Sequence, residues 1–307
     1  MKWEKFGAIF KCDQQVPWMH THSAVPVVET VDSQRGDIRV YYCSRDTQGR
    51  SQIGFFEVNL NSPEKINYIT EAPILTHGEL GAFDDNGVTA TEIVKKNDER
   101  FLYYVGWNRG VNVRMHLFAG LAISKNNSFD FKRVHEAPIL PRSKYDPYLT
   151  ATLSVEKQDD LWRMWYVSGE RWELRKDGTY PYYNIKQADS IDGINWNRSG
   201  QIAINFLHSG EHAIARPCVR KIGNRYHMWF CHKGENYQIG YATSLNGFNW
   251  ERKQDFQFPK GDPGDFDSEM TAYPYVICHQ DSLYLFYNGN EYGKSGIGMA
   301  KTSLSSL

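Results

Sequence analysis

Cysteine is scarce in this chain and follows no pattern. Five occur in 307 residues, at Cys12, Cys43, Cys218, Cys231 and Cys278, with no CxxC pair among them. An odd, scattered set makes a poor disulfide framework or zinc cluster and suits reduced thiols in a cytoplasmic protein. An excess of one charge is missing too: 35 Lys and Arg stand against 36 Asp and Glu, a formal net charge of −1. With no basic stripe, nucleic acid is not an expected partner. No run approaches the roughly 18 apolar residues of a membrane span. The opening MKWEKFGAIFKCDQQ is charged at Lys2, Glu4, Lys5 and Lys11 and lacks the apolar core of a secretory signal. A membrane association is therefore not expected either. GxGxxG after a strand, a phosphate loop, a GxSxG elbow and HExxH are all absent, so no cofactor is expected. His20 and His22 have the spacing of one strand face but no clear third ligand, so no metal site is expected.

Aromatics, by contrast, are plentiful: 19 Tyr, 16 Phe and 9 Trp, beside 25 Gly and 12 Pro. Aromatic and β-branched residues broken up by Gly, Asn, Asp and Pro read as many short strands. They also recur in phase. VYYCSRD begins at Val40, LYYVGWN at Leu102, MWYVSGE at Met164, MWFCHKG at Met228 and LFYNGNE at Leu285, spacings of 62, 62, 64 and 57 residues. An apolar strand bearing Ala24, Ala90, Ala151, Ala215 or Ala272 precedes each, and a second strand from Ile53, Phe118, Ile185, Ile239 or Ile297 follows. EAPIL occurs from Glu71 and again from Glu136. An aromatic-polar-basic tag marks a fourth strand at Phe131-Lys132-Arg133, Trp196-Asn197-Arg198 and Trp250-Glu251-Arg252.

The fifth unit reaches Leu307 without its tag, and the tag reappears at the start as Trp3-Glu4-Lys5. The expectation is an all-β chain forming a five-bladed β-propeller of four-stranded antiparallel blades. The N-terminal strand closes the last blade, and residues 1–307 form a single domain. Radial repetition leaves only short sheet edges, and small alanines suit strands that crowd an axis.

In such a ring the start of each inner strand and the end of the second strand emerge on one face. The stretches that meet there include WMHTHS, FDDNGV, KYDPYL, GEHAI and DFDSEM, and SRD, GWNRG, SGERW, HKGEN and NGNEY. Carboxylates, aromatics, Asn, His and Arg dominate them. Aromatic faces stack on pyranose rings while Asp, Asn and Arg bond hydroxyls, so a small glycan or sugar conjugate is the expected partner. The expected acid/base pool for cleaving a glycosidic bond is Asp85, Asp146, Glu211 and Glu269. His212, Arg171 and Arg216 would orient the sugar, and Trp107, Trp172, Tyr148 and Tyr273 would stack on it. His22, Glu170, Asp267, Asn288 and Glu291 complete the expected substrate-binding set. The sequence leaves the oligomeric state open.

The whole chain resembles the five-bladed glycoside hydrolases around families 43, 32 and 130. FDSEMTAYPYV and LFYNGNEYGKSGIGMA are similar to propellers of bacterial polysaccharide gene neighbourhoods. The resemblance implies a glycoside hydrolase of carbohydrate metabolism. It also implies an Asp-Pro base on the first inner strand, where this chain has Val25-Pro26 instead. Asp84 or Asp85 would match the second-blade acid and Asp146 or Glu170 the third. Two alternatives stand beside hydrolysis. Glycosyl transfer or phosphorolysis would use Arg45, Arg109, Arg171, Arg216 and Lys233. A non-catalytic glycan-binding propeller would follow from the missing base.

Overall fold

The computed structural model describes residues 1–12, 16–158 and 160–307. Among these, nearly all regular structure is strand, with a helical turn at Asn290–Gly293 and a 3₁₀ turn at Leu304–Ser306 as the exceptions. Strand β1 is Glu4–Phe10. The next four are β2 (Thr21–Asp32), β3 (Asp37–Arg45), β4 (Ser51–Asn59) and β5 (Ser62–Ile69). Then come β6 (Gly87–Lys96), β7 (Glu99–Arg109), β8 (Met115–Ser124) and β9 (Lys132–Arg133). The third set is β10 (Thr150–Gln158), β11 (Leu161–Arg175), β12 (Gly178–Ser190) and β13 (Asn197–Ile204). The fourth is β14 (Ala213–Ile222), β15 (Arg225–Lys233), β16 (Tyr237–Ser244) and β17 (Glu251–Arg252), and β18 (Ala272–His279), β19 (Ser282–Asn288) and β20 (Ile297–Ser303) end the chain.

Consecutive strands pair antiparallel within each set. The last set takes its fourth strand from the N-terminus, with Glu4 opposite Lys301 and Phe10 opposite Ile297. Single parallel bridges, Ser51 to Gly87 and Tyr183 to Ala213, join neighbouring sets into longer sheets. The first strands lie alongside one another in order: β2 by β6, β6 by β10, β10 by β14, β14 by β18, and β18 by β2. The repeated aromatic pairs of the second strands are the core. Tyr41, Tyr42, Tyr103, Tyr104, Trp165, Tyr166, Trp229, Phe230, Phe286 and Tyr287 are all buried. Each such ring contributes roughly 1.5–3 kcal/mol by leaving water.

Every first strand slips register next to its repeated alanine. The slips fall between Ala24 and Val27, Ala90 and Glu92, Thr150 and Leu153, Ala215 and Cys218, and Ala272 and Tyr275. Three of the bulged residues have left-handed backbone, Val25 at φ 55°, Arg216 at 52° and Tyr273 at 55°. Each is followed by proline (Pro26, Pro217, Pro274), which has no N–H for a ladder and tolerates a bulged strand. A β-branched residue such as Val25 is strained there. Asn288 holds it in place: its Oδ1 accepts from the Val25 amide at 2.7 Å, and its Nδ2 donates to the carbonyls of Ser23 at 2.7 Å and Gly296 at 2.8 Å.

Candidate functional site

The bulges surround a cavity of about 500 Å³ that receives residues from all five first strands, among them Val25, Thr89, Ala151, Ala215 and Tyr273. The ends of second strands add Arg45, Trp107 and Lys233, the starts of third strands add Ser51, Met115 and Tyr237, and Tyr183 comes from within β12. His22, His212, Arg114, Tyr180 and Tyr292 complete the polar wall, against apolar Val105, Leu117, Leu149 and Val167. Among the described lining residues there is no Asp or Glu. Four members of the expected site therefore stand in the cavity wall: His22, Trp107, His212 and Tyr273.

The acid pool lies elsewhere. Asp146 is fully buried and accepts from Ser168 Oγ at 2.7 Å, Ser143 Oγ at 3.0 Å and Tyr166 Oη at 3.1 Å, with Arg198 at 2.9 Å. Glu211 meets Arg252 through both carboxylate oxygens at 2.8 Å and has His232 Nδ1 at 3.2 Å. Although burial opposes it, the His232 and Arg252 contacts hold this carboxyl well below its ordinary range. Asp267 takes the Tyr287 hydroxyl at 2.8 Å and Lys5 at 2.6 Å. Asp84 likewise faces Tyr104 at 3.2 Å and Arg133 at 2.7 Å.

These four acids make one repeated device. In each set a carboxylate just before the first strand points outward along the sheet, to the basic residue of the fourth-strand tag. Met19 occupies the corresponding place in the first set, with the Tyr42 hydroxyl 2.9 Å from its sulfur. The tag is thus an ion-pair partner, and Asp146, Glu211 and Asp267 tie the entry of a first strand to the fourth strand of its own set and do not line the cavity. Their sequence position marks the mouth correctly; their side chains turn away from it.

The remaining expected residues are also outside the lining. Asp85 accepts the Gly81 amide at 3.0 Å, and Glu269 is exposed. Glu170 pairs with Lys186 at 2.9 Å, and Glu291 with Lys294 at 2.8 Å. Arg171 stacks over the Tyr182 ring at 3.5 Å, Tyr148 is exposed, and Trp172 packs against the apolar cluster around Leu149 and Val167. Asn288 clamps the Val25 bulge. Arg216 is fully buried and serves as a hub: its amide donates to Thr152 Oγ1 at 2.9 Å, and its guanidinium donates to the carbonyls of Thr91 at 2.6 Å and Pro26 at 2.8 Å. The Tyr275 ring lies 5.4 Å from that guanidinium, so this one residue, through its amide and its side chain, touches all the other first strands.

The fully charged side chains in the described lining are all cationic. Neither Arg45, Arg114 nor Lys233 has a carboxylate partner among the described residues, and Lys233 donates to the Tyr292 hydroxyl at 2.8 Å. Burial, then the charges of Arg45 and Lys294, bring His22 down to about 4, against an opposing pull from Glu291. Burial, then Lys233 and Arg175, lower His212 as well, against an opposing pull from Glu173 and with a smaller push from Arg114. Both imidazoles are therefore neutral at pH 7. Tyr183 and Tyr237 share a hydroxyl–hydroxyl hydrogen bond, and burial pushes Tyr183 up to about 12. Cys43 is in the wall too, but burial raises its thiol, which does not suit a nucleophile.

Arg114, Tyr180, Tyr183 and Tyr237 escaped the sequence reading. Its rule used starts of first strands and ends of second strands. A third strand begins where the second ends, so its opening residues belong to the same face, and that corollary finds Tyr237. Tyr180 and Tyr183 stand on β12 within the extended β11–β12 hairpin, and Arg114 in the loop before β8, places that the repeat alone does not orient. Among the described residues no group of three or more His, Cys, Asp or Glu is placed to hold a metal, and no helix is long and apolar enough to cross a membrane.

No protein-family profile matches the chain. Two Mycobacterium tuberculosis proteins do: "Uncharacterized protein MT1551" of strain CDC 1551 / Oshkosh and "Uncharacterized protein Rv1502" of strain ATCC 25618 / H37Rv. Each is 36% identical over 301 residues, covering 98% of this chain and 99% of the relative. Among solved structures, the chain is similar to BT0996 in an RGII complex, at TM-score 0.76 and 18% identity over 97% of this chain and 91% of that one. It is also similar to a structure described under "The GH130 family of mannoside phosphorylases contains glycoside hydrolases that target beta-1,2 mannosidic linkages in Candida mannan". That match has TM-score 0.72 and 15% identity over 99% of this chain and 94% of the other. A thermostable family-43 glycoside hydrolase follows at TM-score 0.67 and 17% identity, over 95% and 91%. At these identities the likeness establishes the fold, that of the glycoside hydrolase propellers.

Proposed function

The chain belongs to the family of the mycobacterial proteins MT1551 and Rv1502 and has the glycoside hydrolase propeller fold, and from this we propose that it is a carbohydrate-active protein whose central cavity holds a small glycan. In this reading residues 1–307 form one five-bladed propeller domain, its last blade completed by β1. The ring of contacts among the first strands supports that count. The observation that carries the functional reading is the cavity wall itself. Trp107 and five tyrosines, 180, 183, 237, 273 and 292, provide ring faces for a pyranose and phenols for its hydroxyls, in a space of about 500 Å³.

The wall favours binding and orienting a sugar over hydrolysing it with the acid pool. Two opposed carboxylates are needed for that chemistry, and Asp85, Asp146, Glu211 and Glu269 are all absent from the described lining. Arg45 and Lys233 support transfer or phosphorolysis as a second reading, which phosphate-dependent cleavage of a disaccharide would reveal.

Calorimetric titration with a panel of small glycans tests the first reading. Trp107→Ala is expected to weaken binding at least about tenfold, or 1.4 kcal/mol, with the melting temperature little changed. Binding that is indifferent to this substitution would place the sugar outside the cavity.

A further inference from the structure

We propose that the glycan held in this cavity is acidic, and that Arg45, Arg114 and Lys233 receive its carboxylate or phosphate substituent. The inference rests on the cavity being a sugar site. Its own ground is a charge asymmetry that a neutral ligand leaves without purpose. The whole chain is balanced, with 35 cationic against 36 anionic residues, and nearly every buried acid has a basic partner. Glu29, for instance, meets Arg39, Lys95 and Arg100, and Asp84, Asp146, Glu211 and Asp267 meet the tag residues. The cavity wall is charged with one sign only. Three cations line it, Lys233 half-buried and Arg45 and Arg114 exposed, and among the described residues neither a carboxylate lines the wall nor an ion pair neutralises any of the three.

A cleft lined by one sign of charge focuses its field on whatever enters. The two neighbouring histidines register that field: after burial, Arg45 lowers His22 and Lys233 lowers His212, with Lys294, Arg175 and Arg114 adding to it and Glu291 and Glu173 opposing it. The groups suit the task chemically. Arg45 and Arg114 offer planar forks that match a carboxylate or phosphate, Lys233 a point charge, and the Tyr183 and Tyr292 phenols further donors. The apolar wall of Leu117, Leu149 and Val167 keeps part of the space at low dielectric, which strengthens the attraction. A uronic acid and a sugar phosphate share the required chemistry: a pyranose face for Trp107 and an anion for the cations.

The test compares glucose, glucuronic acid, glucose 6-phosphate and inorganic phosphate on the full chain by calorimetry at about 50 mM and 200 mM salt, alongside an array of neutral and acidic oligosaccharides. Acidic sugars are expected to bind at least tenfold more tightly than neutral ones of the same size. That preference should shrink at the higher salt and fall to within twofold in the Arg45→Gln/Arg114→Gln/Lys233→Gln variant. Retained binding of neutral sugars by the variant would show its cavity intact. Equal affinity for neutral and acidic sugars in the native chain would overturn this inference and leave the sugar site standing. Tight inorganic phosphate that promotes neutral-sugar binding would also overturn it, in favour of a phosphate co-substrate. Binding of no sugar of either kind would remove the sugar site and the inference together.

Discussion

Asp146 offers the sharpest separation of a site role from an architectural one, because it belongs to the expected acid pool and yet is fully buried among hydroxyls and Arg198. Asp146→Ala removes the acceptor of three hydroxyl hydrogen bonds and the partner of Arg198, whose side chain is 13% exposed. Breaking one side of a buried ion pair costs about 3–5 kcal/mol, since the surviving charge stays buried without compensation. Unfolding entropy of about 2.1 cal/mol/K per residue near 60 °C gives roughly 0.65 kcal/mol/K for a chain of this length. A loss of about 4 kcal/mol thus lowers the melting temperature by about 6 °C. Asp146→Asn preserves the shape and an acceptor oxygen, and should lose about half as much. Arg198→Ala strands the opposite charge, so the double variant is expected to lose less than the sum of the singles. Differential scanning calorimetry reads the stability of each, and sugar titration below the transition reads the cavity, which should be unaffected. The reasoning fails if Asp146→Ala melts within a degree of the native chain while losing sugar binding or turnover.

Arg216→Ala leaves the carbonyls of Thr91 and Pro26 without their donors in the interior, at about 1–3 kcal/mol each, so thermal unfolding should come roughly 5 °C earlier. Arg216→Lys should not restore both bonds, lacking the planar fork. Burial, against a partly compensating Arg220, raises Glu156 to about 7. A carboxyl raised in the folded state weakens the fold as pH climbs from about 4.5 to 7. Glu156→Gln should therefore raise the melting temperature at pH 8 and leave it unchanged near pH 4.5. Burial and then Arg225 lower His227 to about 4, while its Nδ1 meets the Tyr241 hydroxyl at 2.6 Å. The unfolded chain binds that proton below about 6.5 and the folded chain only near 4, so stability falls across this window as pH drops. In urea titrations at pH 7 and pH 4.5, His227→Gln should show a shallower loss between the two than the native chain.

The repeat made the strand plan readable in advance. Aromatic pairs such as Tyr103-Tyr104 and Trp165-Tyr166 mark second strands because consecutive residues there are packed from both faces. The basic tag foretold the pairing of β1 with β20, since Trp3-Glu4-Lys5 carries the same chemistry as Trp250-Glu251-Arg252. The site was legible only in part. His22, Trp107, His212 and Tyr273 line the cavity as expected, while the acid pool does not. A carboxylate at the mouth of a first strand has two directions open to it, inward to the axis or outward along the sheet. Local sequence is the same in both cases. The outward direction wins at Asp84, Asp146, Glu211 and Asp267 because a buried acid needs a cation and hydroxyl donors. Arg133, Arg198, Arg252 and Lys5 stand on the fourth strands, some forty to sixty residues away, or across the whole chain for Lys5.

By itself, then, the sequence determined the strand order of this protein, its five in-phase units and the face on which its loops gather, because aromatic spacing and turn residues act over a few neighbours. The tertiary structure alone decided which side chains own the cavity. Bulges at Val25, Arg216 and Tyr273 interrupt the strand alternation with left-handed residues, Arg216 is consumed by backbone carbonyls of other strands, and the acids are neutralised at a distance. What remains facing the axis is set by subtraction: aromatic rings and three cations whose counter-charges lie in no described neighbour.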